Sequence, residues 1–224
     1  MTVLTDIGEF SVSDSRDGGR DYLLRPSFGA MTRVGSPTEI VQAYAIIYGN
    51  DVARLIEVCT GTQGRFPDWL SPSFNRAAEK LLSTSMLILQ ACCDDDLAPM
   101  IGEWKGWRRC VVYRPGQMPK NDIIVLAQYL MQHGVVGKAK VRHLQRHETR
   151  ERTTEFKAFE YISAARSHFG MNRAEASKLT MTEFQMLLAA KYPDQKGFTR
   201  EEYDAVANDY LKKQAARRVR EKKN

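Results

Sequence analysis

The chain of 224 residues is 43% hydrophobic, which is enough apolar material for one large core or two small ones. Its formal net charge of +6 comes from residues 212–224, which hold seven basic residues and one acid, so residues 1–211 carry 26 of each. A neutral body argues against a general nucleic-acid-binding surface. The sequence has no charged leader and no apolar run of about 18 residues, so we expect neither a secretory signal nor a membrane span.

The cysteines indicate a reducing compartment. Four are present without the regular spacing of a disulfide framework, and a bridge between the neighbouring Cys92 and Cys93 would be strained. Because disulfides persist in oxidising compartments, this pattern predicts free thiols and a soluble protein of the cytoplasm.

The N-terminal part of the chain predicts a β-hairpin followed by a short helix. Phe10 and Val12 alternate with polar residues, the turn sequence DSRDGG follows, and DYLLRP returns as a second extended run that Pro26 ends. The segment SFGAMTRVG then places Phe28 and Met31 at helical spacing. Since an isolated hairpin is marginally stable, this one is expected to pack on the rest of the chain.

After the hairpin the sequence is helical almost throughout. Ser36 and Glu39 have the spacing of a capping box, and a second Ser-Pro helix start lies at Ser71. Apolar residues follow both starts at helical spacing. Residues 94–118 contain several Pro and Gly residues and are predicted to be irregular. The helix after them is predicted to end at Gly134.

The stretch HFGMNRAEASKLTMTEF predicts a helix stop followed by two capped restarts. Gly170 tolerates the left-handed conformation that ends a helix. Asn172 with Glu175, and Thr180 with Glu183, have the N-cap and N3 spacing of a capping box. Two short helices after such a stop make a compact helical corner.

Together these elements predict a mainly α protein in which an N-terminal β-hairpin packs on a helical bundle and a smaller helical C-terminal module follows. The predicted divisions are the hairpin and helical body at 1–137, a charged connector at 138–152, the helical module at 153–211 and a basic tail at 212–224. The connector has few apolar residues, so it is either a solvated helix or a mobile link.

No motif of an enzyme or a metal site is present in the sequence. His143 and His147 lie four residues apart, but the zinc-protease spacing requires Glu where Leu144 stands. Cys92 and Cys93 precede three aspartates, yet adjacent thiols do not easily reach tetrahedral geometry. Walker A, G-x-G-x-x-G and G-x-S-x-G sequences are absent. The sequence therefore predicts no enzymatic activity, no cofactor and no metal.

Trp104 and Trp107 stand beside Arg108 and Arg109 in the sequence GEWKGWRRC. This mixture of aromatic and guanidinium groups is typical of a stacking platform for nucleic acids or of a protein-binding hot spot. The third interpretation is structural, with one Trp in the core and the arginines on the surface. The sequence leaves all three open.

Two separated segments carry motifs that occur together in one protein family. Residues 9–41 contain a hairpin, a leucine-rich strand and a short Phe-x-Ala helix at Phe28. Residues 159–193 contain an Ala-rich helix ending His-x-Gly, an Ala-Glu-Ala turn and the motif Met-Thr-x-x-Glu-Phe. Both segments resemble tail assembly chaperones of long-tailed bacteriophages. The resemblance implies a protein of the host cytoplasm, absent from the mature virion, that keeps the tape measure protein soluble and recruits tail tube subunits. It implies no catalytic residues.

The helical corner and the tryptophans supply the predicted partner-binding residues, and no membrane partner is expected. These residues are Phe156, Phe159, Phe169, Phe184, Leu187, Leu188, Trp104 and Trp107. The corner can also be an ordinary helical subdomain.

Two other classes of function stay open. One is a nucleic-acid-binding accessory protein that uses Lys212 to Lys223 and residues 138–152, with steeply salt-dependent affinity. The other is a structural component of the tail.

Overall fold

The computed structural model describes residues 3–16, 19–50, 70–108, 110–139 and 154–192. Within these ranges the protein is mainly α-helical, as predicted, with a β-hairpin at the N-terminal end. The helices are α1 Phe28–Val34, α2 Pro37–Ile47, α3 Ser71–Cys92, α4 Ala98–Ile101, α5 Lys120–Met131, α6 Ala158–Phe169, α7 Arg173–Lys178 and α8 Met181–Lys191. The strands are β1 Phe10–Ser13, β2 Asp21–Leu24, β3 Glu103–Trp107 and β4 Cys110–Arg114.

The predicted N-terminal hairpin is confirmed, and it packs on the helices. β1 and β2 pair antiparallel with Phe10 opposite Leu24, which is fully buried. The next residue, Arg25, donates its backbone N–H to the carbonyl of Cys92 at the end of α3 (2.8 Å). The rings of Phe10 and of Tyr129 on α5 make an edge-to-face contact with centroids 5.8 Å apart. These contacts supply the support that a two-stranded hairpin lacks by itself.

The starts of α2 and α3 follow the sequence signals. The Ser36 backbone N–H donates to Oε2 of Glu39 at 2.8 Å, as a capping box requires, and Pro37 takes the first helical position. This bond holds the pKa of the Glu39 carboxyl below its usual range. The second Ser-Pro start is also confirmed, since α3 begins at Ser71.

α3 is the central helix of the bundle. It contacts α1, α2 and α5, because Leu82, Met86 and Leu89 recur at helical spacing and are all buried. From α5, Ile123 and Leu130 are fully excluded from solvent. Complete burial of an apolar side chain of this size contributes about 1.5–3 kcal/mol relative to exposure, so this interface carries much of the bundle's stability.

The prediction of irregular structure over residues 94–118 is wrong. This stretch contains α4 and an antiparallel hairpin in which Trp104 lies opposite Tyr113. Gly102 marks the root of that hairpin: its φ is +82°, and a Cβ there would lie 2.3 Å from the carbonyl oxygen of Arg114. Only glycine fits where two backbones approach so closely. Gly102 therefore marks the root of a hairpin rather than an irregular stretch.

Residues 1–187 form one compact unit and residues 188–224 form a second. In the first unit, α6 and α7 pack against α1, so residues 154–187 share a core with the N-terminal helices. Of the second unit the structure describes residues 188–192, which include the last residues of α8.

The predicted connector and tail fall on residues that the structure does not describe. Residues 140–152 of the connector and the whole tail at 212–224 lie outside the described ranges. Independent folding of a module at 153–211 stays a prediction. Its first part, 154–187, belongs to the same compact unit as the hairpin.

Candidate functional site

An aromatic cluster joins the two segments that carry the family resemblance. Phe28 at the start of α1 is fully buried and stacks on Tyr161 of α6, with ring centroids 5.5 Å apart. Phe184 of α8 meets the Phe28 ring edge-on at 5.9 Å. Phe156 also stacks on Tyr161, with ring centroids 5.2 Å apart, and Phe169 packs edge-on against Phe184 at 6.1 Å. Burial raises the pKa of Tyr161. These rings form a structural core between residues distant in sequence.

A partly buried ion pair reinforces the same junction. Arg25 follows β2, and its Nη1 lies 3.0 Å from Oε1 of Glu9, a carboxylate that is almost fully buried. Its Nη2 donates to Oε2 of Glu183 on α8 at 3.1 Å. The predicted capping box at α8 therefore forms only in part. The Glu183 backbone N–H donates to Oγ1 of Thr180 (3.1 Å), while the Glu183 carboxylate binds Arg25.

A buried histidine connects α5 to α8, and the sequence analysis missed it. A π-helical turn at Gln132–Val136 continues α5 and carries His133, whose Nδ1 lies 2.9 Å from Oγ1 of Thr182. The same hydroxyl oxygen accepts the backbone N–H of Lys138 at 3.1 Å. Burial lowers the pKa of His133, and the charge of Lys138 lowers it further. No local pattern in the sequence marks this residue, because its partner is 49 positions away.

A surface groove lies beside the aromatic cluster. It has a volume of about 320 Å³. Its walls come from the junction of α1 with α2 and from the start of α6, and its lining residues are Thr32, Gly35, Pro37, Ile40, Phe156, Lys157, Ala158, Phe159 and Glu160. The backbone N–H of Phe156 donates to the carbonyl of Pro37 (2.9 Å) and so joins the two walls.

The groove is suited to an apolar side chain. Ile40 and Phe156 are buried at its walls, whereas Phe159 is 62% exposed. The charged residues there are paired with each other, since Nζ of Lys157 lies 3.7 Å from Oε1 of Glu160 and 3.5 Å from a carboxylate oxygen of the neighbouring Glu155. An exposed aromatic ring beside an apolar groove is typical of a protein-binding site.

The structure places the predicted partner-binding residues in different environments. Phe156 and Phe184 are buried in the aromatic cluster, and Phe159 is exposed at the groove. The half-buried members are Phe169, Leu187, Leu188 and Trp104. Trp104 packs on Tyr113 at the root of the second hairpin. The side chain of Trp107 lies outside the described part of the chain.

The described residues hold no group of three or more His, Cys, Asp or Glu side chains positioned to bind a metal ion. Burial raises the pKa of the Cys92 and Cys93 thiols, so neither supplies a ready thiolate. His143 and His147 fall in the undescribed range 140–153. Within the described ranges, every helix is too short or too polar to cross a bilayer.

The fold and the groove define a mainly α protein with a candidate protein-binding surface. A sequence profile matches residues 24–205, from the end of β2 onward, and the chain belongs to that family: the family of unknown function DUF6246. No curated protein and no solved structure matches the chain. Family membership therefore assigns no activity to the chain.

Proposed function

We propose that the protein is a tail assembly chaperone of a long-tailed bacteriophage, which keeps the tape measure protein soluble and recruits tail tube subunits to it. The supporting observation is the junction of the two resembling segments. Residues 9–41 and 159–193 are far apart in sequence, yet Phe28 of the first packs directly on Tyr161 and Phe184 of the second. The first segment and residues 159–187 of the second therefore lie in one compact unit.

The groove at Phe159 is the site that we assign to the tape measure protein. A long amphipathic client helix exposes an apolar face that aggregates unless a partner covers it. Such a helix is bound when its apolar side chains enter a groove. The groove has apolar walls at Ile40 and Phe156, and Phe159 is available beside them. In this proposal the protein acts in the host cytoplasm, has no enzymatic role and leaves before the virion matures.

Co-expression tests this assignment. The full chain should keep an amphipathic fragment of the tape measure protein in the soluble fraction, and Phe159→Ser should reduce the soluble yield. Val125→Ser is the matched control, because Val125 on α5 is 60% exposed and does not line the groove. An insoluble fragment with the unmodified chain contradicts the chaperone function. An equal loss with both variants contradicts the groove as its site.

Recruitment of tube subunits needs a separate measurement. An immobilised tape measure fragment should retain the tube subunit only when the full chain is added. Retention without the chain contradicts recruitment. Detection of the protein in purified virions would instead identify a structural tail component. Salt-sensitive DNA binding that disappears on truncation after Leu211 would identify the nucleic-acid-binding alternative.

A further inference from the structure

β3 and β4 form an arm, residues 103–114, that is fixed at its root. Oη of Tyr113 donates to the carbonyl of Ile101 at the end of α4 (2.8 Å). The rings of Trp104 and Tyr113 pack with centroids 5.4 Å apart. Gly102 lets the two strands meet closely at the same point. The helical body therefore sets the direction of the arm.

Beyond this root, β4 exposes apolar side chains. Val111 is 65% exposed and Val112 is 50% exposed. In the described part of the chain β3 and β4 pair with each other and with no third strand, so each has an unpaired edge. Such an edge offers its backbone N–H and C=O groups to a further strand. Because side chains alternate along a strand, Val111 and Val112 point to opposite faces of the sheet.

The arm is also cationic. Its sequence contains four basic residues and one acid: Lys105, Arg108, Arg109, Arg114 and Glu103. Nζ of Lys105 is paired with Oε1 of Glu103 at 2.6 Å. Arg108 and Arg114 are both exposed. A partner strand beside β4 therefore meets a positive field, which favours carboxylates.

We propose that β4 binds an acidic, extended segment of a partner protein as an added strand. Main-chain hydrogen bonds to the free edge supply affinity, and Val111 and Val112 contact apolar side chains on the two faces. Arg108 and Arg114 select the acidic partner through charge. None of the groove-lining residues belongs to the arm, so this surface is independent of the proposed chaperone site.

Charge and side-chain chemistry favour this partner over two others. A second copy of the chain would bring two cationic arms together, which is repulsive. A nucleic acid would find phosphate-binding arginines, but Val111 and Val112 have no partner on a phosphate backbone. The Trp104 ring is half-buried against Tyr113, so it does not offer the open stacking face that single strands use.

Fluorescence anisotropy of a labelled peptide that repeats Val-Val-Glu-Glu tests the proposal, because this repeat places Val and Glu on both faces of an added strand. The full chain should bind it saturably at low salt. The double variants Val111→Ser with Val112→Ser, and Arg108→Glu with Arg114→Glu, should each weaken binding about tenfold or more, because they remove apolar contact or invert the charge. Val125→Ser on α5 and Arg76→Glu on α3 are the matched controls, as both residues are exposed away from the arm.

Two further probes use altered peptides. A fully N-methylated peptide should not bind, since it has no N–H groups for strand pairing. The same repeat with Lys in place of Glu should bind the Arg108→Glu, Arg114→Glu variant. Equal affinity for the methylated peptide overturns the proposal, and so does absence of binding to the original peptide. Tighter binding of oligothymidine assigns the arm to nucleic acid. A dimer of the free protein that the valine variant dissociates assigns it to a second copy. If a variant unfolds, the proposal is tested by comparing the affinities of the original and the N-methylated peptide for the unmodified chain.

Discussion

Aromatic rings stabilise both the junction around Phe28 and the root of the arm, but the two regions differ in how much of their apolar surface is buried. At the junction the aromatic partners of Phe28, Tyr161 and Phe184, come from other elements, and the Phe28 ring is fully buried. In the arm, Trp104 and Tyr113 support only the root, and Val111 and Val112 remain in water. The junction therefore carries folding free energy, whereas the arm and the groove leave apolar surface for partners.

Phe28→Ala should give the largest effect, because it removes the ring at the centre of the junction. We expect the free energy of unfolding to fall by about 3–5 kcal/mol, the range for a buried Phe replaced by Ala. Urea denaturation measures it. Phe159→Ala is the matched control, and its exposed ring should change stability by no more than about 0.5 kcal/mol. Similar losses for both variants would mean that the junction is not the core.

Arg25→Met should give the next largest loss of stability. Removing the guanidinium leaves the carboxylate of Glu9 buried without a counter-charge, which we expect to reduce stability by about 2–3 kcal/mol, since Arg25 is itself partly exposed. Adding Glu9→Gln should restore part of the loss. Lys105→Met is the control, because the side chains of Lys105 and its partner Glu103 are both about half exposed, and it should leave the unfolding midpoint nearly unchanged. No rescue by Glu9→Gln would contradict the buried-charge explanation.

Asn172→Ala tests a purely local contact of the helical corner. Oδ1 of Asn172 accepts the backbone N–H of Glu175 at 2.9 Å, and the Asn172 N–H donates back to Oε2 of Glu175 at 3.1 Å. Loss of this cap should reduce stability by about 1 kcal/mol, measured by thermal unfolding. Asn75→Ala, at an exposed position within α3, should not destabilise the protein, since Ala favours a helix interior.

The smallest predicted effect is a pH dependence at His133. Burial puts its folded-state pKa below the unfolded value of about 6.5. The unfolded chain therefore binds a proton that the folded chain does not. The stability associated with neutral His133 is complete above that pH, and it is lost as the pH falls from about 6.5 toward the folded-state pKa.

The measurement for His133 compares unfolding free energies at pH 7.5 and 5.5. The unmodified chain should lose more stability on acidification than His133→Gln, by less than about 1.4 kcal/mol for each unit of pKa difference. His168→Gln is the control, because His168 is exposed near the end of α6, and this variant should retain the full loss. An identical pH response of His133→Gln and the unmodified chain would remove His133 as the cause.

Local signals in the sequence predicted the features whose partners lie within a few residues. The box between Ser36 and Glu39 forms, and so does the box between Asn172 and Glu175. Gly170 ends α6 in the left-handed conformation, as predicted. The alternation around β1 likewise placed the hairpin, because strand period and turn residues are local properties.

The prediction that the helix ends at Gly134 is wrong, because tertiary packing determines the role of this glycine. The chain continues as a π-helical turn to Gly137, and a Cβ at Gly134 would lie 3.0 Å from Sδ and Cε of the buried Met31, so a larger residue there would require that side chain to shift. A similar close approach at Gly102 explains why a Gly-rich stretch became a hairpin root. The sequence shows that a glycine is present, but only the neighbouring element shows whether it ends a helix or makes room.

The candidate site divides in the same way between sequence and tertiary structure. The sequence by itself determined that Phe156 and Phe159 stand together before a helical corner, and that Glu183 has the spacing of a cap. Tertiary structure decided that Phe156 is buried, that Phe159 is exposed and that the Glu183 carboxylate binds Arg25. The physical reason is that apolar burial and ion pairing depend on which element arrives from elsewhere in the chain. Here α1 and the residues before it contact α6 and α8, which lie more than 120 positions away in sequence. No local sequence pattern predicts contacts at that separation.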